Sequence, residues 1–237
     1  MILDWKLAEL YGIILGDGYV HKNGYSIIIV SNSEEEFYLK NRVMPFFETI
    51  FSKKPYFALR KDRNACYIQV NSKAIVNQFT DMFTMSKGEK SKCRVSKQIM
   101  KNRHLMSHFI RGLFDTDGCI KFSKQARQFN YYPRIQFYFK NGPLTNDLKS
   151  IIKNLGFNFS GYIDKRFGGL YVIQISGSEN LNKWMNKIGS ANPVHITKML
   201  QWKNDGVVKP KTTLQERIKY LGINTDILLN CKEIQPL

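Results

Sequence analysis

The chain has 237 residues, 43% of them apolar, and its 36 lysines and arginines against 19 aspartates and glutamates give a formal charge of +17. That length allows one large domain or two modest ones with a substantial core, and the charge points to a polyanionic partner, nucleic acid ahead of an anionic membrane. No run approaches the roughly 20 apolar residues of a membrane span, no signal-peptide pattern opens the chain, and Cys66, Cys93, Cys119 and Cys231 form no C-x-x-C pair. The expectation is an intracellular protein of cytoplasm, nucleoid or organelle matrix, with no membrane contact, zinc site or disulfide framework.

In chain order, an apolar helix is predicted from about Trp5 to Asp17, then a hairpin of Tyr19–Lys22 and Ser26–Val30 around the turn Asn23-Gly24. Ser33 followed by Glu36 reads as a capping box opening a second helix. Strands at Pro55–Arg60 and Cys66–Val70 flank a turn at residues 62–64, and a helix from about Ser72 to Phe83 closes the unit. The basic stretch 85–103, with Lys87, Lys90, Lys92, Arg94, Lys97, Lys101 and Arg103, reads as a linker.

The order then repeats. A helix is predicted at about Leu105–Asp117, a strand after Gly118, and a strand at Arg134–Phe139. A helix opens near Pro143, strands at Phe159–Asp164 and Leu170–Ile175 flank Gly168-Gly169, and a helix follows from about Ser178. The expected fold is α+β, two pseudo-symmetric αββαββα subdomains spanning 1–103 (linker 85–103 included) and 104–190. Asn192-Pro193 and a capping box at Thr213 to Glu216 predict two short helices in an extension over 191–237.

Two matched segments mark the repeat: Leu10-Tyr-Gly-Ile-Ile-Leu-Gly-Asp-Gly18 and Ile110-Arg-Gly-Leu-Phe-Asp-Thr-Asp-Gly118, whose last aspartates lie 100 residues apart. Gly12 and Gly16 share one helix face, as do Gly112 and Thr116, and small residues at that spacing let two helices approach closely. Such a contact brings Asp17 beside Asp117, at helix ends that already carry partial negative charge. A divalent cation between them would compensate, because Mg²⁺ favours carboxylate oxygens.

These two segments resemble the paired motifs of a monomeric two-motif LAGLIDADG homing endonuclease, and the element order matches that family over about residues 4–190. The resemblance implies a single chain whose paired helices join two subdomains, with each antiparallel sheet forming half of a saddle over double-stranded DNA. It implies a site-specific, intron-mobility double-strand endonuclease that uses Mg²⁺, with Mn²⁺ able to substitute, and leaves short 3′ overhangs at a long asymmetric target. Asp17 and Asp117 become metal ligands and catalytic acids, with Gly16 and Thr116 beside them at the metal, and Asp115 structural. Lys140 and Lys121 become candidate catalytic residues that stabilise the scissile phosphate, with Asn32 and His21 at the corresponding first-half positions, and His195 and Lys198 lie where relatives sometimes carry a basic residue. An RNA-binding intron maturase and a non-catalytic DNA-binding regulator are the alternatives; both need the basic surface and neither needs the acids.

The strands carry their own signal. Arg134, Gln136, Tyr138 and Lys140 alternate with Ile135, Phe137 and Phe139, so one face is polar and one apolar. Tyr67, Gln69 and Asn71 alternate likewise, as does Gln174 in the last strand. With Arg60, Lys121 and Arg166 they form the expected DNA-reading set, since a β-ribbon fits the major groove. Ser26–Val30 departs from this, with Ile or Val on both faces, and is expected to read fewer bases.

Overall fold

A computed structural model describes residues 2–83, 90 and 93–224. Lys87 and Lys92 of the expected linker and Cys231 of the tail lie outside the described residues. Asp4 caps the first helix by accepting from the Leu7 amide at 2.9 Å, and α1 runs Trp5–Gly16. Strands β1 (Gly18–Val20) and β2 (Ser26–Asn32) form the hairpin over Asn23-Gly24, with Gly24 at φ 69° supplying the left-handed turn residue. A 3-10 turn (Ser33–Glu35), α2 (Glu36–Tyr38), a π turn (Leu39–Val43) and α3 (Met44–Phe51) make up the second helical segment. Then come β3 (Tyr56–Arg60), β4 (Ala65–Asn71) and α4 (Lys73–Phe83).

The expected capping box at Ser33 does not form. Asn32 caps the segment instead, accepting from Glu34 N, while the Ser33 hydroxyl is taken by Asn64 Oδ1. Asn ranks at least level with Ser as an N-cap, and the strand β4 neighbour removes Ser33 from the competition. The stretch read as a linker is folded from Cys93 onward. Cys93, Val95 and Ile99 are buried in the core, Asp147 accepts from Val95 N at 3.0 Å and from Arg94, and Ser96 caps a short helix α5 (Lys97–Lys101).

The second half repeats the first with α6 (Arg103–Asp117), β5 (Gly118–Ser123), β6 (Tyr132–Phe139), α7 (Pro143–Asn154), β7 (Ser160–Asp164), β8 (Leu170–Ser176) and α8 (Ser178–Lys187). The sheets share one topology, β1-β2-β4-β3 and β5-β6-β8-β7, all neighbours antiparallel. The fold is therefore α+β with two pseudo-symmetric subdomains. Beyond them, α9 (Pro193–Asp205) is longer than the short helix expected, and α10 (Leu214–Leu221) begins with the expected Thr213–Glu216 capping box.

The seam between the halves is α1 against α6, where backbones touch. A Cβ on Gly12 would come within 2.8 Å of Leu113 N and closer to Phe109 O, and one on Gly112 within 3.0 Å of Glu9 C. Beside this contact Glu9 is fully buried, accepting from Arg42 Nε at 2.9 Å and from Arg111 Nε at 3.0 Å. Burial alone would raise its pKa, but Arg111 and Arg42 hold it at about 2. The pseudo-symmetric counterpart of Glu9–Arg111 is Phe109–Tyr11, whose rings lie 5.3 Å apart.

Candidate active site

Each motif helix ends at its acid because a sheet strand must start next. Asp17 is the C-cap of α1, Asp117 the last residue of α6, and Gly18 and Gly118 turn the chain into β1 and β5. A Cβ on Gly18 would meet Ile14 Cα at 2.6 Å, and one on Gly118 would meet Phe114 O at 2.6 Å, so both bends require glycine. One residue before the acids, a Cβ on Gly16 would meet Thr116 Cβ at 2.8 Å and its hydroxyl closer still. The four small interface residues Gly12, Gly16, Gly112 and Thr116 thus set the separation of the two helices, and Thr116 directs its hydroxyl back to Gly112 O or Leu113 O, at 3.0 and 3.1 Å.

Asp17 and Asp117 are both half-buried and electrostatically coupled. Burial, and then repulsion from Asp17, raises the Asp117 pKa to about 6, with Lys90 opposing. Burial likewise raises Asp17, opposed by a 2.9 Å hydrogen bond from Ser31 Oγ to its Oδ2 and by Lys90. Lys90 donates from Nζ to Gly16 O; burial lowers its own pKa while Asp117 and Asp17 pull it upward. An ammonium group therefore lies where two carboxylates and a main-chain carbonyl converge, the donor set that suits a hard cation. Among the described residues, no three His, Cys, Asp or Glu side chains form a metal-holding group.

A second layer tethers the first acid to the extension. Glu35 accepts from Asn192 Nδ2 at 2.6 Å, and burial followed by the charges of Asp17 and Asp115 raises its pKa to about 7, against the hydrogen bonds of Asn192 and Ser31. Asn192 also donates to Asp115 O at 2.8 Å. Asp115 itself is 1% exposed and accepts from Ser190 Oγ at 2.5 Å and Ala191 N at 2.8 Å, a purely structural setting.

The basic candidates stand further out. Lys121 and Lys140 are exposed; Lys121 pairs across from Arg134, and Thr145 donates its hydroxyl to Lys140 O at 2.9 Å. His195 is 5% exposed, 3.8 Å from Asp115 and against the Phe114 ring, and burial lowers its pKa, which removes it from the surface a phosphate would reach. Lys198 is half-buried near Cys119, Glu34 and Glu35, its pKa lowered by burial and then by Arg217. Lys90, Ser31, Glu35 and Asn192 are site neighbours that the motif reading missed. Ser31 alone left a signal, a hydroxyl at the inward register shared with Ile27 and Ile29.

The sheet faces carry the rest of the expected set. On the second sheet Gln136 and Gln174 are 2% and 9% exposed, joined by a 2.6 Å hydrogen bond. Tyr138 donates to Gln136 at 2.8 Å and Arg134 to Gln174 at 3.3 Å. Arg166 is clamped on Asp164 through Nε at 2.9 Å and Nη2 at 2.6 Å, so its charge is partly answered. On the first sheet Arg60 stacks 4.8 Å over the Tyr67 ring and Gln69 donates to Asn71 at 2.8 Å. The apolar strand β2 leaves Val30 42% exposed on this face.

Comparisons set this geometry among known proteins. A family profile described as a LAGLIDADG-like domain matches residues 105–189, and no curated protein sequence matches the chain. A solved structure of mesophilic variants of the homing endonuclease I-DmoI aligns over 78% of this chain and 95% of its own, at 20% identity and TM-score 0.55. The homing endonuclease I-WcaI bound to its DNA recognition sequence aligns over 77% and 79%, at 16% and 0.54. The N-terminal LAGLIDADG domain of WhiA aligns over 78% and 82%, at 15% and 0.50. I-DmoI has also been solved with DNA and Ca and with DNA and Mn. Residues 105–189 of this chain thus match the LAGLIDADG-like domain profile, and the whole has the two-subdomain α+β fold seen in the homing endonucleases I-DmoI and I-WcaI.

Proposed function

We propose that this protein is a divalent-metal-dependent, site-specific double-strand DNA endonuclease of the intron-mobility type, acting as a monomer. It hydrolyses one phosphodiester per strand at a long asymmetric target and leaves short 3′ overhangs. The observation that carries the reading is the pairing of Asp17 and Asp117 at the touching ends of α1 and α6, with the Lys90 ammonium held nearby on the Gly16 carbonyl. Asp17 and Asp117, with Gly16 and Thr116 beside them, would hold the ion, Mg²⁺ with Mn²⁺ as substitute. When bound, such an ion lowers the pKa of water and offsets charge on the leaving oxygen.

The chain's own residues do the positioning. Ser31 fixes the Asp17 carboxylate, the glycine contacts fix the spacing of the acids, and the two sheets hold the duplex across the site. Lys121 and Lys140 project from the second sheet toward the phosphate backbone in this reading, while Arg60, Tyr67, Gln69, Asn71, Arg134, Gln136, Tyr138, Gln174 and Arg166 face the groove. The amide pairs seen within each sheet exchange their partners for base edges on binding. The two sheets differ at nearly every polar position, which is why the target is asymmetric.

The test is cleavage of a randomised duplex library with Mg²⁺ or EDTA, followed by sequencing of the ends. Metal-dependent cuts at one long site, lost in Asp17→Asn and in Asp117→Asn while binding in EDTA persists, support the assignment. Tight binding with no cuts under any metal would refute it and leave a regulator or a maturase.

A further inference from the structure

The solvent faces of the two sheets match position by position. Gly18 pairs with Ile29 in the first sheet and Gly118 with Phe137 in the second, so Ile28 and Val30 stand in the places of Gln136 and Tyr138. Where the second sheet presents an amide and a phenol, hydrogen-bonded to each other at 2.8 Å, the first presents two β-branched hydrocarbons. The alternate residues Ile27 and Ile29 are buried, so the core is filled without the outward pair.

These hydrocarbons are part of a patch. Directly opposite residues on antiparallel strands share a face, and the register sets Ile28 between Tyr19 and Gln69, with Tyr56 beyond, and Val30 beside Tyr67. Tyr19, Val30 and Tyr56 are exposed, Ile28 and Tyr67 half-buried. The same face carries a cation, Arg60, stacked on Tyr67. One end of the patch is fixed beside the first acid: Val30 N donates to Asp17 O at 3.4 Å, and the next residue, Ser31, holds the Asp17 carboxylate.

In a major groove such a patch has one complement. The base edges there are donors and acceptors, apart from the C5 methyl of thymine. A donor or acceptor covered by Ile28 or Val30 loses water and gains no partner, whereas a methyl gains burial. A folded RNA is the poorer fit, since its major groove is too deep and narrow for side chains to read. We propose, on the reading of the sheets as a DNA saddle, that Ile28 and Val30 are specificity-determining residues that select thymines in the half-site over the first sheet, at the base pairs nearest Asp17, through their C5 methyls. The two half-sites are then read by different chemistry, the first by methyl contact and the second by the hydrogen bonds of Gln136, Gln174 and Arg134.

The experiment uses the full chain in EDTA, so that cutting plays no part. A randomised duplex library is selected for binding and sequenced, and the recovered duplex is remade with deoxyuridine for thymidine in one half-site and then in the other. That exchange removes the methyls and keeps every hydrogen-bonding group. The expected result is a loss of about fourfold in affinity per contacted methyl, in one half-site only. Val30→Ser and Ile28→Gln should each reduce that loss and the double variant should erase it; Val30 is exposed, so its variant covers the case in which the Ile28 variant is unstable. Tight binding with no loss in either half-site, or a loss that the variants leave unchanged, overturns the proposal and leaves the DNA assignment standing, whereas recovery of no sequence overturns both. Self-association of the DNA-free chain that Val30→Ser abolishes, with thymidine and deoxyuridine duplexes bound alike, also overturns it and makes the patch a contact between two copies.

Discussion

At the scale of single residues, the site is a set of carboxylates held where their charge is unwelcome. Asp117 is raised to about 6 by burial and by Asp17, so without a cation its ionised form destabilises the fold. Asp117→Asn should therefore abolish double-strand cutting yet raise the melting temperature of the DNA-free protein in EDTA at pH 8 by several degrees. A fall in melting temperature would show that the carboxylate is needed for folding. Glu35 gives a cleaner pH test. Its pKa is raised from the ordinary 4.5 to about 7, so the fold favours the neutral acid. That contribution is complete below pH 4.5 and is lost as pH rises through 7. Glu35→Gln, which retains an acceptor for Asn192, should add on the order of 2 kcal/mol at pH 8 and almost nothing at pH 4 by urea denaturation; equal effects at both pH values would contradict it. The acids were legible in the sequence because they recur in matched segments. Lys90 was not, being one of seven basic residues in 85–103 with nothing local to single it out.

At the scale of elements, turn chemistry and alternation were enough to locate every strand given bounds within about two residues, and the strand expected after Gly118 runs Gly118–Ser123. Asn23-Gly24 sets the first hairpin, and the strict alternation of Arg134 to Phe139 matches buried Ile135, Phe137 and Phe139. Where the sequence reading failed, a neighbour from elsewhere decided the outcome: Asn64 claimed the Ser33 hydroxyl, and Asp147 drew Val95 and Arg94 onto the core. The helix seam makes the firmest prediction at this scale. A methyl on Gly12 or Gly112 overlaps backbone atoms that cannot move independently, so Gly12→Ala and Gly112→Ala should each cost about 3 kcal/mol in urea denaturation. Gly206→Ala makes the control, since nothing lies within 4 Å of its Cβ position and only its φ of 70° opposes the change. A Gly12→Ala protein as stable as wild type would mean that the helices are further apart than described.

At the scale of the whole molecule, the charge of +17 sets the salt dependence expected of the proposed DNA complex. If six to ten phosphates are contacted, affinity should fall by roughly 10³ to 10⁵ between 50 and 200 mM salt, and a flat salt dependence in a binding titration would refute the electrostatic reading. The extension was the least legible part, because its role depends on contacts that span the chain. Asn192 reaches Glu35, and Leu214 N donates to Glu34 at 3.1 Å, so the last helices fasten the second subdomain to the first beside the acids. The seam carries one more lesson. Across α1 and α6 one diagonal is ionic, Glu9 with Arg111, and the equivalent diagonal is aromatic, Tyr11 with Phe109. Two first halves placed together would set Glu9 against Tyr11 on both diagonals, and two second halves would set Arg111 against Phe109, each burying ions with no partner across the seam. The halves are a lock and a key: each diagonal of the seam takes one side chain from either half, and neither half offers a copy of itself the partner that it finds in the other.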